Sequence, residues 1–246
     1  MTIRLVEPYR AVLLDIEGTT TTIDFVYEVL FPFARTHLRA FLREHNGDND
    51  LLKDIAALRA EHASDVSRGA SPPPLAASGA CESIAEYVEW LMDQDRKSTP
   101  LKSLQGRIWK EGYSRGELHS EVFDDVPRAF ERWSSQQRQI YIYSSGSILA
   151  QKLLFERTND GDLTTLIKGY FDTTVGRKTE GESYKRIASS IGLRPVEVAF
   201  FSDVVAELEA ARDAGMQAVL CDRPGNRPQP ASNFESIKSF DELDNS

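Results

Sequence analysis

Cysteine is scarce in this chain: its 246 residues hold two, Cys81 and Cys221. They stand far apart and form no C-x-x-C pair, so neither a metal clasp nor a disulfide framework is expected, and both are read as reduced thiols. Histidine is scarce too. His37, His45, His62 and His119 show neither H-x-x-x-H nor H-E-x-x-H spacing, which argues against zinc. Excess positive charge is absent, the formal net charge being −9. A broad nucleic-acid footprint needs a basic face, so nucleic acid is not an expected partner. A small anionic substrate is still allowed, because local charges decide that. No hydrophobic run approaches the length of a membrane span and no apolar signal-like segment opens the chain. The expectation is a soluble, cytoplasmic protein with no membrane partner. No G-x-G-x-x-G follows an apolar run, which leaves little support for a dinucleotide-binding module.

What is there suits one large α/β domain, or a core with an inserted domain, and 41% hydrophobic residues supply a substantial interior. Four short apolar runs read as strands: Ala11–Ile16, Ile140–Tyr143, Val198–Ser202 and Ala218–Cys221, with a fifth at Tyr170–Val175. Helical spacing over Ser147–Phe155, Glu182–Ile191 and Val205–Ala214 separates the later ones, and Gly192 and Gly215 stand where the last two helices should stop. Strands alternating with helices give the fold class: α/β, with a doubly wound (Rossmann-like) parallel sheet. Such sheets bind ligands at the carboxyl ends of their strands, where Asp15, Ser144 and Asp203 fall.

Between the first and second strands lies a long, almost entirely helical stretch. Asp24 reads as an N-cap and Pro32 as a break or restart. Leu51–Ala63 forms a second helix, and Ile84, Val88 and Leu91, then Leu101, Leu104 and Ile108, mark two more. This is too much chain for a crossover. The expected organisation is an α/β core from residues 1–21 and 123–246, with an all-helical cap inserted from 22–122. The tail beyond Pro224 reads as loop followed by a weak amphipathic turn.

The first apolar run stops on acid, in "AVLLDIEGTT". Alternate side chains of an extended segment share a face, so Asp15 and Glu17 should point the same way. Two like charges that close require a proton or a cation between them. After the second run, "YIYSSGS" sets Ser144, Ser145 and Gly146 ahead of a helix. A helix N-terminus suits a phosphate, although a serine there also serves as an ordinary cap. Lys178, in "GRKTEGESY", is either a solvated lysine or a point charge for a phosphoryl oxygen. Asp203 ends "FFSD" and Glu207 lies one helical turn on; both also suit a helix start. Singly these features are commonplace. Together they place acids, serine, lysine and acid in chain order, the residue types that phosphoryl transfer requires.

That order resembles the four motifs of the haloacid dehalogenase superfamily of phosphatases: "DIEGT", Ser144, Lys178 and "SDVVAE". Two positions depart from the superfamily's usual pattern, Glu17 and Glu207, each standing where Asp is usual. The stretches "LLDIEGTTTTIDFVYEVLFPFAR", "PPLAASG", "DRKSTPLKSLQGRIWKEGY", "YIYSSGSILAQKLLF", "GYFDTTVG" and "RPGN" together resemble the enolase-phosphatase (acireductone synthase) family of the methionine salvage pathway. That resemblance spans nearly the whole chain, and Glu in the first motif is that family's own pattern. It implies enolisation of 2,3-diketo-5-methylthiopentyl-1-phosphate, then hydrolysis of its phosphate to release an acireductone. It implies Asp15 as the nucleophile that becomes an aspartyl-phosphate, and one Mg²⁺ held by Asp15, Asp203 and the Glu17 main-chain carbonyl. The Glu17 side chain would act as acid and then base. Ser144, Ser145 and Lys178 would hold phosphoryl oxygens. Gly146 and Glu207 take supporting places, Glu207 either beside the metal or orienting Lys178. A monomer is expected, and no coiled-coil heptads argue otherwise.

Enolisation needs a base and a group to hold the enolate oxygen. Glu17 or a cap residue fits the first need, Mg²⁺ or Lys178 the second. The cap should close to exclude water and contact the methylthio tail, with candidate contacts in the Thr19–Phe25 hinge and the Pro74–Gly79 loop. Two other readings stay open: a capped phosphatase for another phosphorylated metabolite, and a signalling receiver domain that keeps phosphate on Asp15. The long helical insert and Glu17 speak against the receiver.

Overall fold

A strand buried on both faces needs an unbroken apolar sequence, and β1 (Ala11–Leu14) supplies one, with every residue buried. The computed structural model describes residues 3, 5–6, 8–76 and 81–243. In it β1 lies inside a six-stranded sheet with β2 (Gln139–Tyr143), β3 (Ile167–Phe171), β4 (Val198–Ser202), β5 (Gln217–Cys221) and β6 (Ser236–Ile237). The order is β3-β2-β1-β4-β5-β6 and every pairing is parallel. The chain winds outward through β2 and β3, then returns to the other side of β1. This is the doubly wound arrangement, and its reversal sets β1 against β4. Leu14 pairs with Phe201, and one further bond, from Asp15 N–H to the Phe201 carbonyl at 3.0 Å, carries the alignment past the strand end.

The chain divides into two compact units, Met1–Val26 with His119–Ser246, and Tyr27–Leu118. The second is helical: α1 (Phe31–Glu44), α2 (Asn49–Ser67), α3 (Cys81–Asp93) and α4 (Thr99–Ser114). Leu38, Phe41, Leu58, Ile84, Val88, Leu91, Leu104 and Ile108 form its apolar interior. In the first unit, α5 (Asp125–Ser135), α6 (Ile148–Glu156), α7 (Gly181–Ser190) and α8 (Val205–Asp213) accompany the sheet. The period-2 alternation of the strands sorts the faces. Leu13, Tyr143 and Phe200 pack with Tyr184, Ile187 and Leu208. Across the sheet Phe201 meets Trp133 and Phe240, with Phe130 packed between Trp133 and Phe155. No described helix is long and apolar enough to cross a membrane.

Several element ends differ from the sequence expectation, each for a local reason. Strand β1 stops at Leu14 and not at Ile16, because the Ile16 carbonyl accepts the N–H groups of Thr19, Thr20 and Thr21 at 3.2, 2.8 and 3.0 Å and curls the chain. The fifth expected strand lies at Ile167–Phe171 rather than Tyr170–Val175. Asp172 ends it by accepting the Thr174 N–H at 2.9 Å. Thr22, not Asp24, caps the first helix, accepting the Phe25 N–H at 3.0 Å. Pro32 does not break that helix. A π-helical segment, Phe25–Leu30, runs directly into α1. The wider turn accommodates the missing N–H and the ring. The tail contributes a sixth strand, and α5 was not anticipated. Residues 77–79 of the Pro74–Gly79 loop lie outside the described residues.

The loop after β1 is held by a buried ion pair. Arg223 Nη1 donates to Asp125 Oδ2 at 2.8 Å and to the Lys238 carbonyl at 3.0 Å, while Nε donates to the Thr19 carbonyl at 3.1 Å. The guanidinium lies against the rings of Phe123 and Phe240. Asp125 Oδ2 also accepts from Phe240 N–H at 2.5 Å and Ser239 Oγ at 3.2 Å. Breaking such a pair leaves an uncompensated charge inside. Asp125→Ala should therefore destabilise the protein by about 3–5 kcal/mol in urea unfolding. A loss below about 1 kcal/mol, the size of a surface pair, would contradict this.

Candidate active site

Asp15 is placed by the turn at the end of β1. Its own Oδ1 accepts the Ile16 N–H at 2.8 Å, and the Thr20 hydroxyl donates to the Asp15 and Ile16 carbonyls at 3.2 Å each. Thr21 Oγ1 donates to the Glu121 carbonyl, and Phe123 N–H donates to the Thr20 carbonyl. Thr19, Thr20 and Thr21 are fully buried, and the hydroxyls of Thr20 and Thr21 are spent on holding the loop. Gly18 adopts a φ of +68°. A Cβ there would lie 2.6 Å from Asp203 Oδ2, so only glycine lets the loop pass this close to Asp203. Asp15 and Glu17 are not neighbours on one strand face, because the strand has ended before them. Glu17 is half-buried and its backbone bridges to Thr21.

Lys178 is the joint of the site. It is 9% exposed, against 6% for Asp15 and for Asp203, so it is not a solvated lysine. Its Nζ lies 2.6 Å from Asp15 Oδ1 and 2.6 Å from Glu207 Oε2. Its loop is braced from below: Tyr184 donates to the Lys178 carbonyl at 2.7 Å, Tyr143 to the Gly176 carbonyl at 3.0 Å, and Ser183 to the Arg177 carbonyl at 2.7 Å. Ser202 Oγ lies 2.9 Å from Glu207 Oε2, 3.4 Å from Asp15 Oδ2, and accepts the Val204 N–H at 3.1 Å. Burial alone would lower the Lys178 pKa, but the Asp15 and Glu207 charges outweigh it and hold the group as an ammonium.

The serine loop stands one strand over. Ser144 N–H donates to the Phe171 carbonyl at 3.1 Å, and its Oγ accepts the Gly146 N–H at 3.1 Å. The cap of α6 is Ser147, whose Oγ accepts the Ala150 N–H at 3.3 Å. Ser144 therefore has no capping duty. Ser145 is exposed and Gly146 half-buried. Among the described residues no hydrogen bond joins Ser144 or Ser145 to the carboxylates.

Charge is unbalanced at the β1 and β4 ends. Burial, then Asp15 and Glu207, push the Asp203 carboxyl up to about 7, with Glu17 adding and Lys178 opposing. Burial and Asp15 likewise raise Glu207, against the pull of Lys178 and Ser202. One buried ammonium between Asp15 and Glu207, with the Asp203 carboxyl close by, leaves negative charge that a hard divalent cation would meet, and carboxylate oxygens are the donors Mg²⁺ favours. The residues present fit that ion. Among the described residues the trio of acid and imidazole atoms that lie within 4.8 Å of one another is elsewhere, at Glu44, His45 and Glu111. Arg115 already pairs with both of those glutamates. Among the described residues no such trio includes Asp15 or Asp203, so main-chain oxygen and water would be needed to complete a shell there.

Ser202, Tyr143, Tyr184, Arg223 and Asn226 also serve the site, and nothing in the sequence pattern marks them out. Ser202 precedes Asp203 in "FFSD", and Arg223 and Asn226 sit in "RPGN", yet nothing in spacing alone gives them a task. Asn226 Nδ2 donates to the Gly18 carbonyl at 2.8 Å and the Cys221 carbonyl at 2.9 Å.

The family model described as haloacid dehalogenase-like hydrolase matches residues 9–215. Enolase-phosphatase E1 of Synechococcus elongatus is 48% identical over 231 residues, covering 94% of this chain and 96% of that protein. A Physcomitrium patens protein, described as a probable bifunctional methylthioribulose-1-phosphate dehydratase/enolase-phosphatase E1, is 46% identical over 94% of this chain and 47% of its own length. The crystal structure of the UTR4 protein of Saccharomyces cerevisiae superposes with a TM-score of 0.78 at 33% identity, covering 95% of this chain and 99% of that one. The chain belongs to the haloacid dehalogenase-like hydrolases and, among them, to the enolase-phosphatases.

Proposed function

We propose that the chain converts 2,3-diketo-5-methylthiopentyl-1-phosphate to an acireductone and phosphate, by enolisation followed by hydrolysis through an aspartyl-phosphate. The observation that carries the reading is the buried Lys178 ammonium 2.6 Å from both Asp15 and Glu207, with the Asp203 carboxyl close enough to feel all three charges. The fusion of an enolase-phosphatase to a methylthioribulose-1-phosphate dehydratase in the Physcomitrium patens relative supports a methylthio-bearing phosphorylated substrate.

Asp15 attacks phosphorus and takes the phosphoryl group. Lys178 holds a phosphoryl oxygen, and Glu207, anchored by Ser202, keeps that ammonium in place. Ser144 and Ser145 hold the remaining oxygens, with Gly146 letting its N–H approach. Glu17 protonates the leaving oxygen, then draws a proton from the water that cleaves the aspartyl-phosphate. Asp15, Asp203 and the Glu17 carbonyl would hold Mg²⁺, which supplies the charge neutralisation that lets a carboxylate meet a phosphate dianion. For enolisation, Glu17 or a residue of the helical unit takes the proton, and Lys178 steadies the enolate oxygen. The helical unit is assigned to substrate selection, as a cap built from the 22–122 insert. A cytoplasmic monomer belongs to the same reading.

Three outcomes test it. Asp15→Asn should abolish phosphate release, on the order of 5 kcal/mol or more in barrier, and near-wild-type turnover would refute the nucleophile. Glu17→Gln should stall the reaction. If the enol phosphate then accumulates in the absorbance trace, Glu17 is not the sole enolisation base. Mg²⁺ affinity should depend on pH. Asp203 keeps its proton up to about 7 in the metal-free protein, and a metal must displace it. Calorimetric affinity should rise roughly tenfold per unit below that value and level off above it. A flat profile from about pH 5 to about pH 8 would remove Asp203 from the metal.

A further inference from the structure

The "RPGN" turn has no part in the steps above, yet Asn226 reaches the site. Two carbonyl acceptors, on Gly18 and Cys221, fix which end of its amide is nitrogen. Oδ1 is thereby turned away from both. It is buried and accepts no hydrogen bond among the described residues. Its neighbour is the Asp203 carboxylate: a Cβ built on Gly18 would lie 2.9 Å from Asn226 Oδ1 and 2.6 Å from Asp203 Oδ2. The two oxygens flank one point, near enough for a single water to bridge them. Asp203 and Asn226 also line the same cavity, of about 240 Å³, bounded by residues of the 220–236 segment. A buried acceptor calls for a donor.

We propose that Asn226 Oδ1 accepts a hydrogen bond from a water held at Asp203, making Asn226 a positioning residue for the hydration shell of the Asp203-bound cation. The inference rests on the metal reading given above. Mg²⁺ keeps several of its waters, and each brings two donors that need acceptors. A neutral amide oxygen accepts one without adding to a cluster already rich in negative charge. The same side chain ties the Asp15 loop to the end of β5, so cation shell and nucleophile share one anchor.

The test is Mg²⁺ binding to the full chain, without substrate, by isothermal titration calorimetry. Wild type and Asp203→Asn come first: no binding by wild type, or equal binding by the variant, sinks the metal reading and this proposal with it. Where Asp203 is required, Asn226→Ala should bind Mg²⁺ about tenfold more weakly. Asn226→Asp keeps an oxygen toward Asp203 but loses the N–H groups for the two carbonyls. It should bind at least as tightly as wild type. Unchanged affinity in Asn226→Ala overturns the proposal, and so does equal weakening in both variants, which would make Asn226 a loop brace only. Should Asn226→Ala fail to fold by circular dichroism, Asn226→Asp decides alone: retained affinity supports the proposal and a tenfold loss overturns it.

Discussion

The ammonium of Lys178, held between Asp15 and Glu207 and shut away from water, is the interaction on which the site depends. A buried lysine is costly unless its charge is met, and a buried acid equally so. Here each solves the other's problem, and the low-dielectric surroundings strengthen the pairing. The solution is incomplete. Asp203 remains, and burial beside the Asp15 and Glu207 charges pushes its carboxyl up to about 7. On the proposed function, such a site would take a divalent cation, and with it a phosphate dianion that acids alone would repel.

The fold delivers these groups from distant parts of the chain. Reversal of strand order at β1 sets Asp15 beside the Ser202–Asp203 end of β4. Tyr143 on β2 and Tyr184 on α7 rise from the core to fix the Lys178 loop by its backbone. Arg223, past the end of β5, reaches back to the Thr19 carbonyl and is neutralised by Asp125 on α5. The sheet gives direction. The hydrogen bonds of buried polar side chains, placed just beyond each strand end, give precision.

Much of this was legible in the residues. Continuous apolar runs marked β1, β2, β4 and β5, because a parallel strand buried on both faces can carry little else. Asp15, Ser144, Lys178, Asp203 and Glu207 are each commonplace alone, and stand out only because acid, serine, lysine and acid follow one another in the order that phosphoryl transfer requires. What escaped notice was set by hydrogen bonds that pattern does not encode. The Ile16 carbonyl turning the chain early, Asp172 cutting β3 short and Thr22 capping in place of Asp24 are single-atom decisions. Arg223 and Asn226 act through main-chain carbonyls far away in sequence, Thr19 and Gly18, so no local spacing could announce them. The two-residue β6 falls below the length at which alternation is visible.

Hydrolysis by the proposed route requires Asp15 to carry the phosphoryl group covalently. The most direct measurement is peptide mass spectrometry on enzyme acid-quenched during steady turnover with Mg²⁺ and the diketo phosphate. An acyl phosphate on Asp15 that disappears once substrate is exhausted is the predicted result. Turnover without an acyl phosphate at Asp15, or with the phosphoryl group on another side chain, would contradict it.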